Sequence, residues 1–197
     1  SAIKYKSDSA LSYQKDGEIS MYLGEHIKAI ELLSKSLSVD ETDPQTLILL
    51  GYCYRELDQV ENAIYCFEKT ISLNENSDEA YVQLGQIFWE RQDSTAIKYY
   101  KSAISINPNL PEAYANRAAL YGGDTNCRNY QESIKDFNKA INLFDETEDR
   151  FIVNSNLKLL MLYCERGRSK YFTKDFKGSL DDFTMSIEVF ENLEAYL

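Results

Sequence analysis

"LGYCYRELDQVENAIYCFEKT", residues 50–70, decides the fold. Its apolar residues recur at helical spacing, yet Gly51 stands inside the first helical run. A glycine there costs about 1 kcal/mol relative to alanine, so its place needs a reason. Gly51 is followed twelve residues later by Ala63, sixteen later by Phe67 and nineteen later by Thr70. Gly17 repeats those intervals with Ala29, Leu33 and Ser36, and Gly167 repeats them with Ser179, Phe183 and Ser186. Gly85 reaches Ala96, Tyr100 and Ala103 with each interval shorter by one; Ala118 reaches Ser133, Phe137 and Ala140 with each longer by three. Gly17, Gly51 and Gly85 are 34 residues apart, and Ala118 follows after 33. Small residues at these places let two helices cross closely, while an aromatic or leucine fills the space beyond. Gly51 is explained by packing.

The rest of the chain agrees with helices. Pro44 and Pro111 precede helical patterns, where a fixed φ suits the first turn, and Pro108 follows one, where a helix must stop. Aromatic and β-branched residues keep a 3.6-residue period, and Asp16-Gly17 lies within a helical pattern rather than at a hairpin turn.

A repeat near 34 residues with these small and aromatic positions resembles the tetratricopeptide repeat family. The clearest units are "LGYCYRELDQVENAIYCFEKTISLN" and "YVQLGQIFWERQDSTAIKYYKSAISINP". The resemblance implies an all-α fold, a right-handed α-solenoid of antiparallel helix pairs. It implies one array over 1–197, with five repeats near 10–43, 44–77, 78–110, 111–147 and 160–193. The fourth repeat carries an enlarged turn, "YGGDTNCRNYQES", and an insertion near 148–159 separates it from the fifth. Asp145-x-x-Glu148 has the form of a capping box. The first helix of the fifth repeat is therefore expected to begin early and run long, to about Phe172.

Composition restricts the function. The net charge of −11 and pI near 4.6 argue against nucleic acid, whose phosphates call for clustered Lys and Arg. No apolar run is long enough to span a bilayer, and "SAIKYKSDSA" has no apolar signal region. Cys53, Cys66, Cys127 and Cys164 lack metal-ligand spacing and read as reduced thiols of a cytoplasmic protein. His26, the sole histidine, has no nucleophile or ligand at i+3 or i+4 and reads as a packing residue. Asp124-Thr125-Asn126 lacks the bidentate glutamate of a calcium loop and reads as a solvated turn. No catalytic residue, metal or cofactor is expected.

In the implied architecture the first helix of each pair lines a concave groove. Groove positions fall three and two residues before each small residue and one, four and five after it. The expected partner-binding residues are Lys15, Tyr22, Tyr52, Arg55, Gln86, Trp89, Asn116, Arg168 and Phe172. The same rule places Ile48, Leu49, Val82 and Gln83 in the groove. Aromatics mixed with amides and charges suit a protein or peptide partner; the competing reading is that these aromatics pack on the neighbouring helix. Repeats of this family that hold acidic chaperone tails use a Lys/Asn/Arg carboxylate clamp. The matching positions here are Gln14, Glu18, Leu49, Glu79 and Gln83, or Val82, Gln86, Asn116, Met161 and Glu165; only Asn116 fits.

The expectation is thus a non-catalytic scaffold that recognises a partner segment in the groove. The alternatives are a structural or self-association module using its C-terminal helix, or the targeting region of a larger enzyme. "SIEVFENLEAYL" continues a helix with Ile187, Phe190, Leu193 and Leu197 at near-helical spacing. That face calls for more chain, a partner or a homo-oligomer to cover it.

Overall fold

The computed structural model describes residues 2–123, 128–146 and 153–194, and among these every regular element is a helix. The order is α1 Ala2–Tyr22, α2 His26–Val39, α3 Pro44–Glu56, α4 Val60–Leu73, α5 Asp78–Glu90, α6 Ala96–Ile106, α7 Pro111–Gly122, α8 Tyr130–Glu146, α9 Val153–Phe172 and α10 Phe176–Glu194. They gather into two compact units, residues 1–87 and 88–197.

The same local chemistry starts and stops these helices again and again. Pro44 and Pro111 occupy the first turns of α3 and α7. Asp43 caps α3 by accepting from the backbone N–H of Gln45 and Thr46, at 3.2 and 3.1 Å. Asp40, Asn74 and Asn107 follow α2, α4 and α6, and each accepts through its side chain from the backbone N–H two residues on, at 3.1 Å.

Four first helices end alike. Gly24, Asp58, Gln92 and Lys174 have positive φ, between 57° and 77°. In each case the next residue's N–H reaches back five positions, as in Glu25 to Ser20, Gln59 to Tyr54, Asp93 to Phe88 and Asp175 to Lys170. This is the Schellman stop, which satisfies the last helical carbonyls and turns the chain toward its partner helix.

In the first unit α1 pairs with α2 and α3 with α4, and α2 also packs on α3. A cluster of Ala29, Leu33, Leu49, Leu50, Cys53 and Cys66 lies between them. The spacing of small and large residues has its expected cause. A Cβ on Gly51 would fall 2.6 Å from the Phe67 ring, and one on Gly17 would fall 2.7 Å from Leu33 Cγ. Phe67 and Leu33 are fully buried, each worth roughly 1.5–3 kcal/mol relative to exposure.

In the second unit α7 pairs with α8 and α9 with α10, and α8 packs on α9. Ala118, Phe137, Ala140, Ile141, Leu162 and Tyr163 form one cluster; Ala96, Tyr100 and Leu120 form another, joined by Phe88 and Ile97. A Cβ on Gly167 would lie 3.1 Å from Phe183 and from Asp182.

One expectation needs correction. Asp145 lies within α8, which runs to Glu146, so it cannot be the N-cap of the next helix. The helical period of "IKDFNKAINLF" continues through Asp145 without a breaker, and that continuity outweighs the four-residue cap pattern. The long helix does exist: α9 has 20 residues, against 12 in α7. Lys158 and Leu159 in its added length lie against the unit. Leu159 packs on the cluster around Phe137, and Lys158 lies 3.6 Å from Glu112 of α7.

Candidate functional site

In the first unit, α3 and α5 are tied by side chains on their first-helix faces. The Tyr52 hydroxyl donates to Glu79 Oε1 at 2.7 Å, while its ring meets Phe67 edge-on at 5.9 Å. Burial, followed by the Glu79 contact, pushes the Tyr52 phenol far above its ordinary pKa. It stays a neutral hydrogen-bond donor. Three residues on, one turn along α3, Arg55 Nη1 donates to Gln83 Oε1 and to Gln86 Oε1, the latter at 2.9 Å. Gln14 of α1 donates to Asp43 Oδ2 at 2.7 Å and to Thr46 Oγ1 at 3.0 Å. An aromatic, a guanidinium and two amides are therefore held in position by their neighbours.

Lys15 and Tyr22 on α1 are exposed, Tyr22 to 78%. The groove positions Ile48, Leu49, Val82 and Gln83 are not: each is less than 9% exposed. They belong to the core: Leu49, for one, packs in the cluster with Ala29, Leu33, Leu50, Cys53 and Cys66. The Gln83 amide oxygen still serves the surface by orienting Arg55.

In the second unit Trp89, at the end of α5, is 36% exposed. Asn116 is half-buried, and among the described residues its buried Nδ2 has no hydrogen-bond partner. Arg168 is exposed and pairs with Glu165 at 3.1 Å. Phe172 is 53% exposed and stacks on Tyr130, with centroids 4.9 Å apart.

Two buried ion pairs escaped the sequence reading. Arg117 binds Asp136 through two bonds of 2.7 and 2.8 Å. Arg166 binds Asp182 through two more, and Lys170 reaches the same carboxylate at 2.9 Å. A signal was present in the letters. Each Arg stands one residue before the small position, and each Asp one residue before the aromatic, in two successive repeats. These pairs join first and second helices and hold the site's scaffold.

The buried thiols are not activated. Cys53 and Cys66 are pushed up to about 11 by burial, with Glu56 adding to the effect at Cys53. Such thiols are protonated at neutral pH and poor nucleophiles. His26 is half-buried at the start of α2. Among the described residues, no three His, Cys, Asp or Glu side chains could hold a metal ion together. The Asp124-Thr125-Asn126 run and Cys127 lie outside the described residues. Among the described residues, no helix is long and apolar enough to cross a membrane.

Comparison with known proteins agrees on the architecture. The tetratricopeptide repeat profile matches residues 44–77 and 78–110. No curated protein matches the chain in sequence. Among solved structures, MamA from Desulfovibrio magneticus RS-1 is 19% identical, with a TM-score of 0.76 over 94% of this chain and 97% of that one. Another MamA structure is 22% identical, with a TM-score of 0.72 over 92% of this chain and 97% of that one. YrrB, described as a TPR protein with an unusual peptide-binding site, is 16% identical, with a TM-score of 0.69 over 95% of this chain and 90% of that one. At these identities the likeness is one of fold: all-α, of the helical-repeat solenoid class.

Proposed function

We propose, from the premise that this chain carries tetratricopeptide repeats, that it is a non-catalytic scaffold gripping a protein or peptide segment on its first-helix faces. The carrying observation is the pair Tyr52 and Arg55. Both project from α3 and both are held by α5 side chains, through Glu79 for the first and Gln83 with Gln86 for the second. Side chains already ordered in the free protein lose little entropy on binding, so this surface suits recognition. YrrB, with its unusual peptide-binding site, supports the same use of the fold.

Lys15, Tyr22, Tyr52, Arg55, Gln86, Trp89, Asn116, Arg168 and Phe172 are the proposed contact residues. Trp89 is the strongest anchor among them, since tryptophan is enriched at binding hot spots. The net charge of −11 disfavours nucleic acid as partner, and the reduced thiols suit the cytoplasm.

The test is a peptide array probed with the 197-residue chain and with the Tyr52→Ala/Trp89→Ala double variant. The chain should retain a discrete set of peptides. The variant should lose them by about tenfold or more in affinity, at about 1–2 kcal/mol per hot-spot side chain, with unchanged helical circular dichroism. Equal affinity in both proteins would refute recognition on these faces.

A further inference from the structure

Helix α10 leaves an apolar stripe uncovered. The residues it buries against the second unit are Ser179, Asp182 and Ser186, all less than 9% exposed. Its exposed apolar residues are Met185, at 39%, and a stripe of Phe176, Leu180, Phe183, Ile187 and Phe190, at 60, 65, 37, 58 and 46%. The stripe's spacing runs 4, 3, 4, 3, the seam spacing by which one helix receives another. Phe183 occupies the repeat position of Leu33, Phe67, Tyr100 and Phe137, which are at most 1% exposed. This stripe is the surface on which second helices of the other repeats pack a following helix, as α2 does with α3 and α8 with α9.

The geometry points to a second copy of this chain as the occupant, with α10 paired antiparallel to α10 about a two-fold axis at Phe183. Three observations select that arrangement. First, reversal maps the stripe onto itself: Phe176 faces Phe190, Leu180 faces Ile187, and Phe183 faces Phe183. Second, one flank of the seam carries Lys177, Thr184 and Glu191 at seven-residue intervals, all exposed. Antiparallel pairing brings this flank against the same flank of the other copy and sets each lysine against a glutamate. The acidic Asp181 and Glu188 project away from the seam by helical periodicity, so the negative net charge does not fall on the contact. Third, the area is adequate. Five side chains of this size and exposure offer on the order of 500 Å² per copy, so a pair reaches the roughly 1,000 Å² that a specific interface needs.

Sedimentation equilibrium of the full chain, from low-micromolar to near-millimolar concentration, reads the assembly directly. The unmodified chain should form a dimer and stop there, because a two-fold contact closes on itself. Leu180→Glu and Ile187→Glu, at exposed positions, should each give a monomer with unchanged helical content. Lys177→Glu alone and Glu191→Lys alone should each weaken the dimer about tenfold, since each creates two like-charge contacts. Lys177→Glu/Glu191→Lys together should restore affinity to within about threefold of the parent. A chain that stays monomeric throughout overturns the proposal, and so does a dimer indifferent to Leu180→Glu. A double reversal no better than the single ones overturns the antiparallel pairing.

Discussion

A Cβ built on Gly51 would lie 2.6 Å from the ring of Phe67, sixteen residues further along the chain. The glycine gives up helix propensity so that α3 and α4 can approach with the ring between them. Gly51→Ala adds about 1 kcal/mol of propensity but must displace a buried aromatic, and overpacking of this kind costs roughly 1–3 kcal/mol. The expected outcome is a lower urea midpoint. A Phe67→Leu change in the same background should make the alanine less harmful than it is beside Phe67. Equal effects in both backgrounds would count against the packing account.

Arg117 and Asp136 form a nearly buried bidentate pair, with side chains 15% and 3% exposed. Asp136→Ala leaves a buried guanidinium without its carboxylate and should cost about 3–5 kcal/mol. Replacing both with leucine removes the desolvation cost along with the attraction, and should be much milder than either single change. Chemical denaturation of the three variants measures this directly.

Gln92 and Lys174 hold the left-handed position of the Schellman turn without being glycine, at φ 57° and 66°. A side chain there costs about 1–2 kcal/mol, part of which glycine forfeits through its freer unfolded chain. Gln92→Gly and Lys174→Gly should each stabilise by roughly 0.5 kcal/mol net, seen as a higher melting temperature. Gly24→Ala, at φ 77°, should do the reverse.

Cys53 and Cys66 have thiols raised to about 11 by burial. The folded state therefore prefers the neutral thiol more than the unfolded chain does. Their contribution to stability is full below about pH 9, where both states are protonated, and is lost as pH rises toward 11. Urea midpoints should fall between about pH 9 and pH 11, and fall less in a Cys53→Ala/Cys66→Ala variant. At about pH 8 both thiols should react with iodoacetamide only at the rate of chain opening, so added urea should accelerate labelling sharply.

Much of this was written in one dimension. The interval from Gly51 to Phe67 recurs, with small shifts, along the chain, and prolines mark two helix starts, so the repeat and those boundaries could be read directly. The left-handed turn was harder to see. Glycine marks it only at Gly24, while Asp58, Gln92 and Lys174 carry the same backbone through the Schellman hydrogen bonds. Asp145 misled because a four-residue cap motif is a weaker signal than an unbroken helical period. The groove rule erred at Ile48, Leu49, Val82 and Gln83, since a face defined by period alone cannot show how far the neighbouring helix overlaps it.

What the sequence by itself determined is the all-helical class, the repeat and the close crossing at small residues, because steric size and helical period are properties of the letters. What only the tertiary structure decided is which polar groups meet. Arg55 finds Gln83 and Gln86, Tyr52 finds Glu79, and Asp182 finds Arg166 and Lys170. It also decided that α10 turns serines and an aspartate inward and its apolar stripe outward. Such choices depend on which side chains several helices bring within about 3 Å of one another, a distance that no spacing along the chain encodes.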